Sequence, residues 1–265
     1  MIIKDISDFL ESIAPLNLQE DYDNAGLIVG NPNTNLKGVL FSLDATLEVV
    51  QEAKQLGCNL VISHHPIIFK GLKKINGTNY VEKAVIEAIK NDIALYAIHT
   101  NLDNVLKSGV NAKIAEKLEV SEIEILSPKL ISGTYNKTIG AGIIGNLPQI
   151  FTYYQFLDHV KTKMKLSSLR ATQTIDRPIF RVALCGGSGS FLIPSALKAT
   201  VDAYITADLT YHDFFEANNQ TVLVDIGHFE SEQYTIELLF ELVTGKFTNF
   251  ASHCTKIITN PVQYY

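Results

Sequence analysis

The chain has 265 residues, of which 46% are hydrophobic and 19% charged, and its formal net charge is −6 at pH 7. This length can hold one large or two modest domains with an ample buried core. The acidic balance gives no general attraction to nucleic acid or to anionic membranes, so we expect neither as a partner.

Cysteine usage and the N-terminus indicate a cytoplasmic protein. Cys58, Cys185 and Cys254 are far apart and odd in number, and no two of them form a CxxC pair. That pattern argues against a disulfide framework and for a reducing compartment. The N-terminal segment has acidic residues within its apolar pattern and lacks the hydrophobic region of a signal peptide. No apolar run approaches the length of a membrane span, so we expect no association with the membrane.

The first half of the chain alternates helical periodicities with apolar, strand-like runs. After an N-terminal helix that Pro15 closes, the predicted elements are a strand ending near Gly30, strand 38–44, helix 46–56, strand 58–63, helix 81–90, strand 93–98 and helix 110–118. Alternation of this kind is the signature of parallel βαβ units.

The middle of the chain changes composition. Segment Ser127–Tyr135 is rich in Ser, Thr, Gly and Pro and predicts a separation between two lobes. The elements predicted beyond it are strand 138–145, helix 153–165, strand 179–185, a helix ending at 199, strand 203–206, helix 211–217, strand 221–226, a long helix 228–243 and a strand near 255–258. We therefore expect an α/β fold with mixed or parallel sheets, one lobe formed by 1–126 plus 227–265 and the other by 127–226.

Three separate segments place metal-ligand side chains where an apolar run stops. They are Ser63–Pro66, His99–Asp103 and Gly227–Glu232. In an open α/β sheet such strand ends meet at the carboxyl edge. Imidazoles and carboxylates without cysteine suit Zn, Mn, Fe or a similar divalent ion. The candidate ligands outnumber what one tetrahedral ion needs, so two ions sharing a carboxylate are the more economical interpretation.

Each segment alone also has a plain structural explanation. His64 and His65 can serve one site only if the strand has ended, as Pro66 indicates, and otherwise one of them caps a turn. Asp103 is a metal ligand or the cap of the following helix. His99 is a ligand, a partner of a ligand or a general base.

His228 and Glu232 are four residues apart at the start of a predicted helix, so one helix face presents both. The alternative is an amphipathic helix with a solvated first turn. Glu230 lies off that face and is expected in solvent. The joint pattern is stronger than its parts, because three independent strand ends deliver metal-ligand residues.

Two further segments are candidates for substrate handling. Gly186, Gly187 and Gly189 lie between a predicted strand and helix, the order in which backbone N–H groups bind phosphate. The alternative is a tight turn that lets strand and helix pack closely, since the P-loop lysine and the GxGxxG spacing are missing. His212 follows another strand, and with His99 it is a candidate proton-transfer residue.

The chain resembles the Nif-three-like family, also known as the GTP cyclohydrolase I type 2 homologue or dinuclear metal-centre family. The motifs that carry the resemblance span nearly the whole chain in order. They are Tyr22–Leu27, Ser63–Pro66, His99–Asp103, Cys185–Gly189, Tyr204–Thr206 with His212, and Asp225–His228 with Glu232. Tyr22 stands where the family usually has Trp, and the chain has no room for the extra domain of longer relatives.

The resemblance implies a Nif-three-like fold of two related α/β lobes and a homohexameric ring whose metal sites face an internal cavity. It also implies that His64, His65, Asp103, His228 and Glu232 bind two divalent ions per subunit, with Glu232 between the ions.

The function we expect is a divalent-metal-dependent hydrolase with a dinuclear centre. Its reaction would be GTP cyclohydrolase-type ring opening of a purine nucleotide, although the residues do not select a nucleotide over another phosphoester. His99 or His212 would move protons, and Gly186, Gly187 and Gly189 would hold a phosphate. The chain lacks the Cys and His zinc set of the classical GTP cyclohydrolase. The alternative is a non-enzymatic metal carrier or a regulatory ring scaffold.

Overall fold

The computed structural model describes residues 1–131, 134–173 and 177–265. Their strands are β1 (Gly26–Val29), β2 (Gly38–Ser42), β3 (Leu60–Ser63), β4 (Ala94–Ala97), β5 (Ser121–Ile131), β6 (Thr134–Phe151), β7 (Arg170–Ala171), β8 (Ile179–Ser188), β9 (Ala203–Ala207), β10 (Val222–Asp225) and β11 (Ala251–Cys254). Their α-helices are α1 (Ile3–Ile13), α2 (Leu47–Gln55), α3 (Tyr80–Lys90), α4 (Thr100–Asp103), α5 (Val110–Lys117), α6 (Tyr153–Lys163), α7 (Ile193–Lys198), α8 (His228–Glu232) and α9 (Thr235–Lys246). No helix within these ranges is both long and apolar enough to cross a membrane.

The chain forms two compact units, and unit 1 comprises Met1–Leu102 and Thr235–Pro261. Its five-stranded sheet has the order β1-β4-β3-β2-β11, in which only the edge strand β1 is antiparallel to its neighbour. Strands β2, β3 and β4 are buried over their whole length. Burial on both faces explains why these strands are continuous apolar runs instead of alternating patterns.

Unit 2 comprises Asp103–Tyr234 and Val262–Tyr265. Its six-stranded sheet has the order β5-β6-β8-β9-β10-β7, with β8, β9 and β10 parallel and the other pairings antiparallel. Tyr204 and Leu223 lie in its core without measurable exposure, packed with apolar residues of β8 and α7. Two units, each with helices and a mixed sheet, confirm the predicted fold class.

The largest difference from the sequence prediction lies in the middle of the chain. Segment Ser127–Tyr135 was expected to separate two lobes, yet it belongs to the antiparallel pair β5 and β6, with Ser127 opposite Ala141 and Pro128 opposite Gly140. Positions 132–133 of that segment lie outside the described residues. Pairing along these long strands outweighs the local turn composition. The observed units accordingly divide after Leu102 and after Tyr234, whereas the predicted lobes divided after 126 and after 226.

The C-terminal elements also differ from the prediction. The expected helix 228–243 is broken into α8 and α9. At the break, the Gln233 side-chain amide donates to the Glu230 carbonyl at 3.1 Å. The last strand is Ala251–Cys254, paired in parallel with β2, instead of 255–258. The predicted helix 211–217 is a 3₁₀ helix over Asp213–Ala217.

Candidate metal centre

Three histidines of unit 1 meet where two neighbouring strands end. Strands β3 and β4 are parallel, with Ser63 opposite Ala97, so the residues that follow them share one edge of the sheet. The ring centroids of His64, His65 and His99 lie 5.0 to 5.3 Å apart. One nitrogen from each ring lies within 4.8 Å of the other two. These residues, which we call the histidine cluster, have the spacing of ligands around a cation.

Each ring of the histidine cluster is oriented by an acceptor at its Nδ1 atom. The pairs, each 2.8 Å long, are His64 with the Ile98 carbonyl, His65 with the Asp44 carboxylate and His99 with the Asp23 carboxylate. An acceptor at Nδ1 keeps the proton of a neutral imidazole on that atom and leaves the lone pair on Nε2. Metal-ligating histidines typically have this arrangement, because the acceptor fixes both the tautomer and the ring orientation.

Asp23 is held firmly in its ionised form. Its side chain has no solvent exposure, and the backbone N–H of Thr100 donates to it at 3.0 Å. Burial raises the pKa of Asp23, but hydrogen bonds from His99 and Thr100 outweigh that effect and bring the pKa to about 2. Asp23 lies in the Tyr22–Leu27 motif, so this motif contributes the carboxylate that orients His99.

Unit 2 contains the second group of candidate ligands. His228 and Glu232 lie one turn apart on α8, with Nε2 and Oε2 separated by 3.1 Å, and Glu232 is buried. The His228 Nδ1 atom donates to the Asp208 carboxylate at 2.6 Å. Burial lowers the pKa of His228, but hydrogen bonds and charge from Asp208 and Glu232 raise it to about 11. A divalent cation on Nε2 and Glu232 would balance these carboxylates in place of the imidazolium proton, so the donor set fits a metal.

Asp103 and Glu232 lie close to the same buried sulfur in unit 2. Burial and then the charges of these two carboxylates raise the pKa of the Cys185 thiol. The Asn111 side-chain amide donates to the Asp103 carbonyl at 3.0 Å and accepts from the Gly186 N–H at 2.9 Å. These contacts connect the end of α4 to the glycine segment of β8.

The glycine segment approaches the Glu232 carboxylate closely. Gly187 has a φ of +62°, and a Cβ atom there would lie 2.4 Å from Glu232 Oε1. Its N–H donates to the Ser231 hydroxyl at 2.9 Å, while the Gly186 N–H is taken by Asn111. A Cβ on Gly189 would lie 2.2 Å from a threonine hydroxyl of β9. Close packing thus accounts for these glycines, and phosphate binding by Gly186, Gly187 and Gly189 stays a prediction.

The structure also places His212, Glu230 and the three strand ends. His212 is exposed, and its ring contacts Tyr211 and Phe215 at centroid distances of 5.3 and 6.3 Å. Its role in proton transfer stays a prediction. Glu230 is half-buried instead of solvated. The three strand ends do not share one sheet edge, because β10 belongs to the sheet of unit 2.

The orienting carboxylates Asp23, Asp44 and Asp208 were missed as functional residues by sequence reasoning. Two of them carry a signal that can be read from the chain. Asp44 follows β2 by two residues and Asp208 comes directly after β9, so both lie at carboxyl ends of parallel strands. Asp23 precedes a strand, and its partner His99 lies 76 residues later in the chain. No local pattern indicates such a pairing.

Comparison with known proteins gives relatives along the full length. A "GTP cyclohydrolase 1 type 2 homolog" of Clostridium acetobutylicum is 34% identical, with 92% of this chain and 90% of the relative covered. A relative of the same name from Campylobacter jejuni is 33% identical over 100% of both chains.

Solved structures share the fold. A Staphylococcus aureus protein superposes with a TM-score of 0.92 at 30% identity, covering 100% of this chain and 99% of that one. A Bacillus cereus protein related to NIF3 has a TM-score of 0.90 at 27% identity, with 100% and 99% covered. The family model for Duf34/NIF3 (NGG1p interacting factor 3) matches residues 1–261. The chain therefore belongs to the Duf34/NIF3 family.

Proposed function

We propose that this protein is a hydrolase that depends on two divalent metal ions, held by His64, His65, Asp103, His228 and Glu232. The observation that carries the proposal is the common orientation of the histidines. His64, His65 and His228 each have Nδ1 on an acceptor, so Nε2 is the donor atom left for a metal. A scaffold without a metal has no need to fix the same tautomer at three ring positions.

The chemistry divides between the ions and the protein. When bound, two divalent ions supply Lewis acidity and lower the pKa of water. His99 is the proposed proton-transfer residue, because its Nδ1–H is held by Asp23 and its Nε2 can accept or release a proton. The Asp23 carboxylate stabilises the imidazolium that forms when His99 takes a proton. His212 is the second candidate for this step.

GTP is the first substrate to test, because the curated relatives carry the name "GTP cyclohydrolase 1 type 2 homolog". Ring opening of a purine nucleotide is a hydrolysis and so falls within the proposed reaction class. A panel of phosphoesters tests the same metal chemistry on other leaving groups.

Metal content and turnover measured on the same preparations test the proposal. We expect two ions per chain after loading with Mn or Zn, loss of turnover on chelation and recovery when one metal is restored. Glu232→Ala should lower occupancy of both ions and Asp103→Ala mainly that of one, while His99→Ala should keep the metals and lose about 10²–10⁴-fold in rate. Full metal content with no turnover on GTP or the phosphoester panel would refute the hydrolase. Metal transfer to an apo-acceptor would then favour the carrier alternative.

We also propose that the chains assemble into a homohexameric ring, which rests on the resemblance to the family. Light scattering of the metal-loaded protein should give six times the chain mass of 29.3 kDa. A monomer or dimer at micromolar concentration would contradict the ring.

A further inference from the structure

The segment that follows the histidine cluster has an unusual charge for this protein. Between Pro66 and Val81 the chain carries Lys70, Lys73 and Lys74 and no acidic residue. The whole chain, in contrast, has a net charge of −6. We call residues 66–79 the lysine loop. It connects the end of β3 to the start of α3.

The three lysines of this loop are available to a ligand. Lys70, Lys73 and Lys74 are all exposed. Across the ranges that the structure describes, none of their ammonium groups forms an ion pair, whereas Lys4 and Lys163 are paired with carboxylates at 2.5 and 2.6 Å. A Cβ atom built on Gly71 would have nothing within 4 Å, so the loop is open to solvent here.

The lysine loop is anchored beside the histidine cluster. The Phe69 ring lies edge-on to His99 with centroids 5.5 Å apart, and Asn24 donates to the Ile68 carbonyl at 2.7 Å. At the other end, buried Glu82 accepts from the backbone N–H groups of Asn76 and Thr78 at 3.2 and 2.9 Å. The cationic middle of the loop is therefore tethered at both ends.

The reach of the loop fits a substrate bound at the histidines. An extended chain spans at most about 3.5 Å per residue, so the Lys74 Cα atom lies within roughly 18 Å of the Phe69 Cα atom. Lys70 is adjacent to Phe69. Flexible lysine side chains bind phosphate as point charges, without the fixed geometry that arginine requires. An acidic protein that acts on an anion also needs a local cationic surface to raise the association rate.

We propose that the lysine loop binds the phosphate groups of an anionic small-molecule substrate at the histidine cluster. The inference rests on the proposed hydrolase function and assigns the residues that bind the phosphate groups of its substrate. Lys70, Lys73 and Lys74 contact the phosphates, and the exposed part of the Phe69 ring packs against the rest of the ligand.

The test compares two triple variants that lose the same charge. K70Q/K73Q/K74Q neutralises the lysine loop. K90Q/K161Q/K198Q is the control, because these exposed lysines lie in the last turn of α3, on α6 and in the last turn of α7. Binding of GTP, guanosine and inorganic pyrophosphate to metal-loaded protein is measured by calorimetry at low and at physiological salt, alongside metal content and turnover.

We expect the wild type and the control to bind GTP more tightly than guanosine. The loop variant should bind GTP and pyrophosphate about tenfold more weakly, which is the effect expected from the loss of three exposed charge interactions. Its affinity for guanosine should not change. Equal GTP binding by both triple variants, or no preference of the wild type for GTP over guanosine, would overturn the inference. The inference would also be overturned if the loop variant bound a single-stranded RNA more weakly than the wild type but bound GTP equally well. If GTP binding depends on the loop but no turnover occurs, the inference stands and the hydrolase proposal fails. If the protein hydrolyses a neutral ester and the lysine substitutions have no effect, the hydrolase proposal stands and the inference fails.

Discussion

Gly187 shows how a missing side chain leaves room for the carboxylate of a candidate metal ligand, Glu232. The φ of +62° at Gly187 disfavours any residue with a side chain, and a Cβ atom built there lies 2.4 Å from Glu232 Oε1, so a larger residue would have to displace that carboxylate. Gly57 has a similar φ of +71° but no atom within 4 Å of its built Cβ. Substitution at either position strains the backbone, but only substitution at Gly187 also affects the carboxylate. Comparing the two positions therefore separates these effects.

We predict that Gly187→Ala lowers the affinity for Mn at least tenfold, whereas Gly57→Ala leaves it unchanged. Both variants place alanine in left-handed backbone, which costs roughly 1–2 kcal/mol of folding free energy. Only Gly187→Ala also displaces the Glu232 carboxylate. Metal titration by calorimetry, together with urea unfolding, measures both effects. Equal metal affinity in the two variants would contradict this role of Gly187.

Asp23 predicts a dependence of stability on pH. Its pKa of about 2 in the folded protein lies below the ordinary value of 3.8. The ionised carboxylate therefore stabilises the fold above about pH 4, and this contribution, on the order of 2 kcal/mol, is lost as the pH falls toward 2. Asp23→Asn should be less stable than the wild type at pH 7, and the difference should shrink between pH 4 and pH 2.

The measurement is urea unfolding of chelator-treated protein across that pH range. Asp21→Asn, at an exposed position two residues earlier, is the matched control and should change little. A difference between Asp23→Asn and wild type that stays constant down to pH 2 would show that Asp23 is not held as an anion by its partners.

At the scale of elements, Glu82 on α3 is the residue that ties down the lysine loop. Besides its two backbone partners, it accepts from the Thr78 hydroxyl at 3.0 Å and from the Asn79 amide at 2.8 Å. These hydrogen bonds fix residues 76–79 just before α3 begins.

We predict that Glu82→Ala makes the lysine loop more sensitive to trypsin, because the loop loses its second anchor and local opening exposes the bonds after Lys70, Lys73 and Lys74. Mass spectrometry of limited digests identifies the cleavage sites. Glu48→Ala, on the exposed side of α2, is the control. Identical digestion of the two variants would mean that Glu82 does not restrain the loop.

The elements show which features a sequence can predict. Strands β2, β3 and β4 could be read from continuous apolar runs, and His64, His65 and His99 could be placed together because their strands end at neighbouring positions. The sheet that contains β10 could not be read, since strand order depends on long-range pairing. The break between α8 and α9 could not be read either, because helical periodicity continues across it.

For the whole molecule, bound metal should act as a stabilising ligand. Ions that bind the folded chain at a hundredfold excess over their dissociation constant add about 2.7 kcal/mol to the free energy of unfolding. For a chain of this size that corresponds to an increase in Tm of roughly 5–10 °C. Thermal unfolding with chelator, and then with Mn or Zn restored, should show this shift in the wild type and a smaller one in Glu232→Gln. An unchanged wild-type Tm on chelation would contradict tight binding.

The order of the two units along the chain has a consequence for synthesis. Apart from its last four residues, unit 2 is one continuous stretch, Asp103–Tyr234, whereas unit 1 needs both Met1–Leu102 and Thr235–Pro261. Strand β11, made near the end, pairs in parallel with β2, made near the beginning. On the ribosome, unit 2 can therefore complete its sheet first, although it is translated second. Until β11 emerges, the backbone groups on one edge of β2 are unpaired. A chaperone or a neighbouring nascent chain could bind this exposed edge.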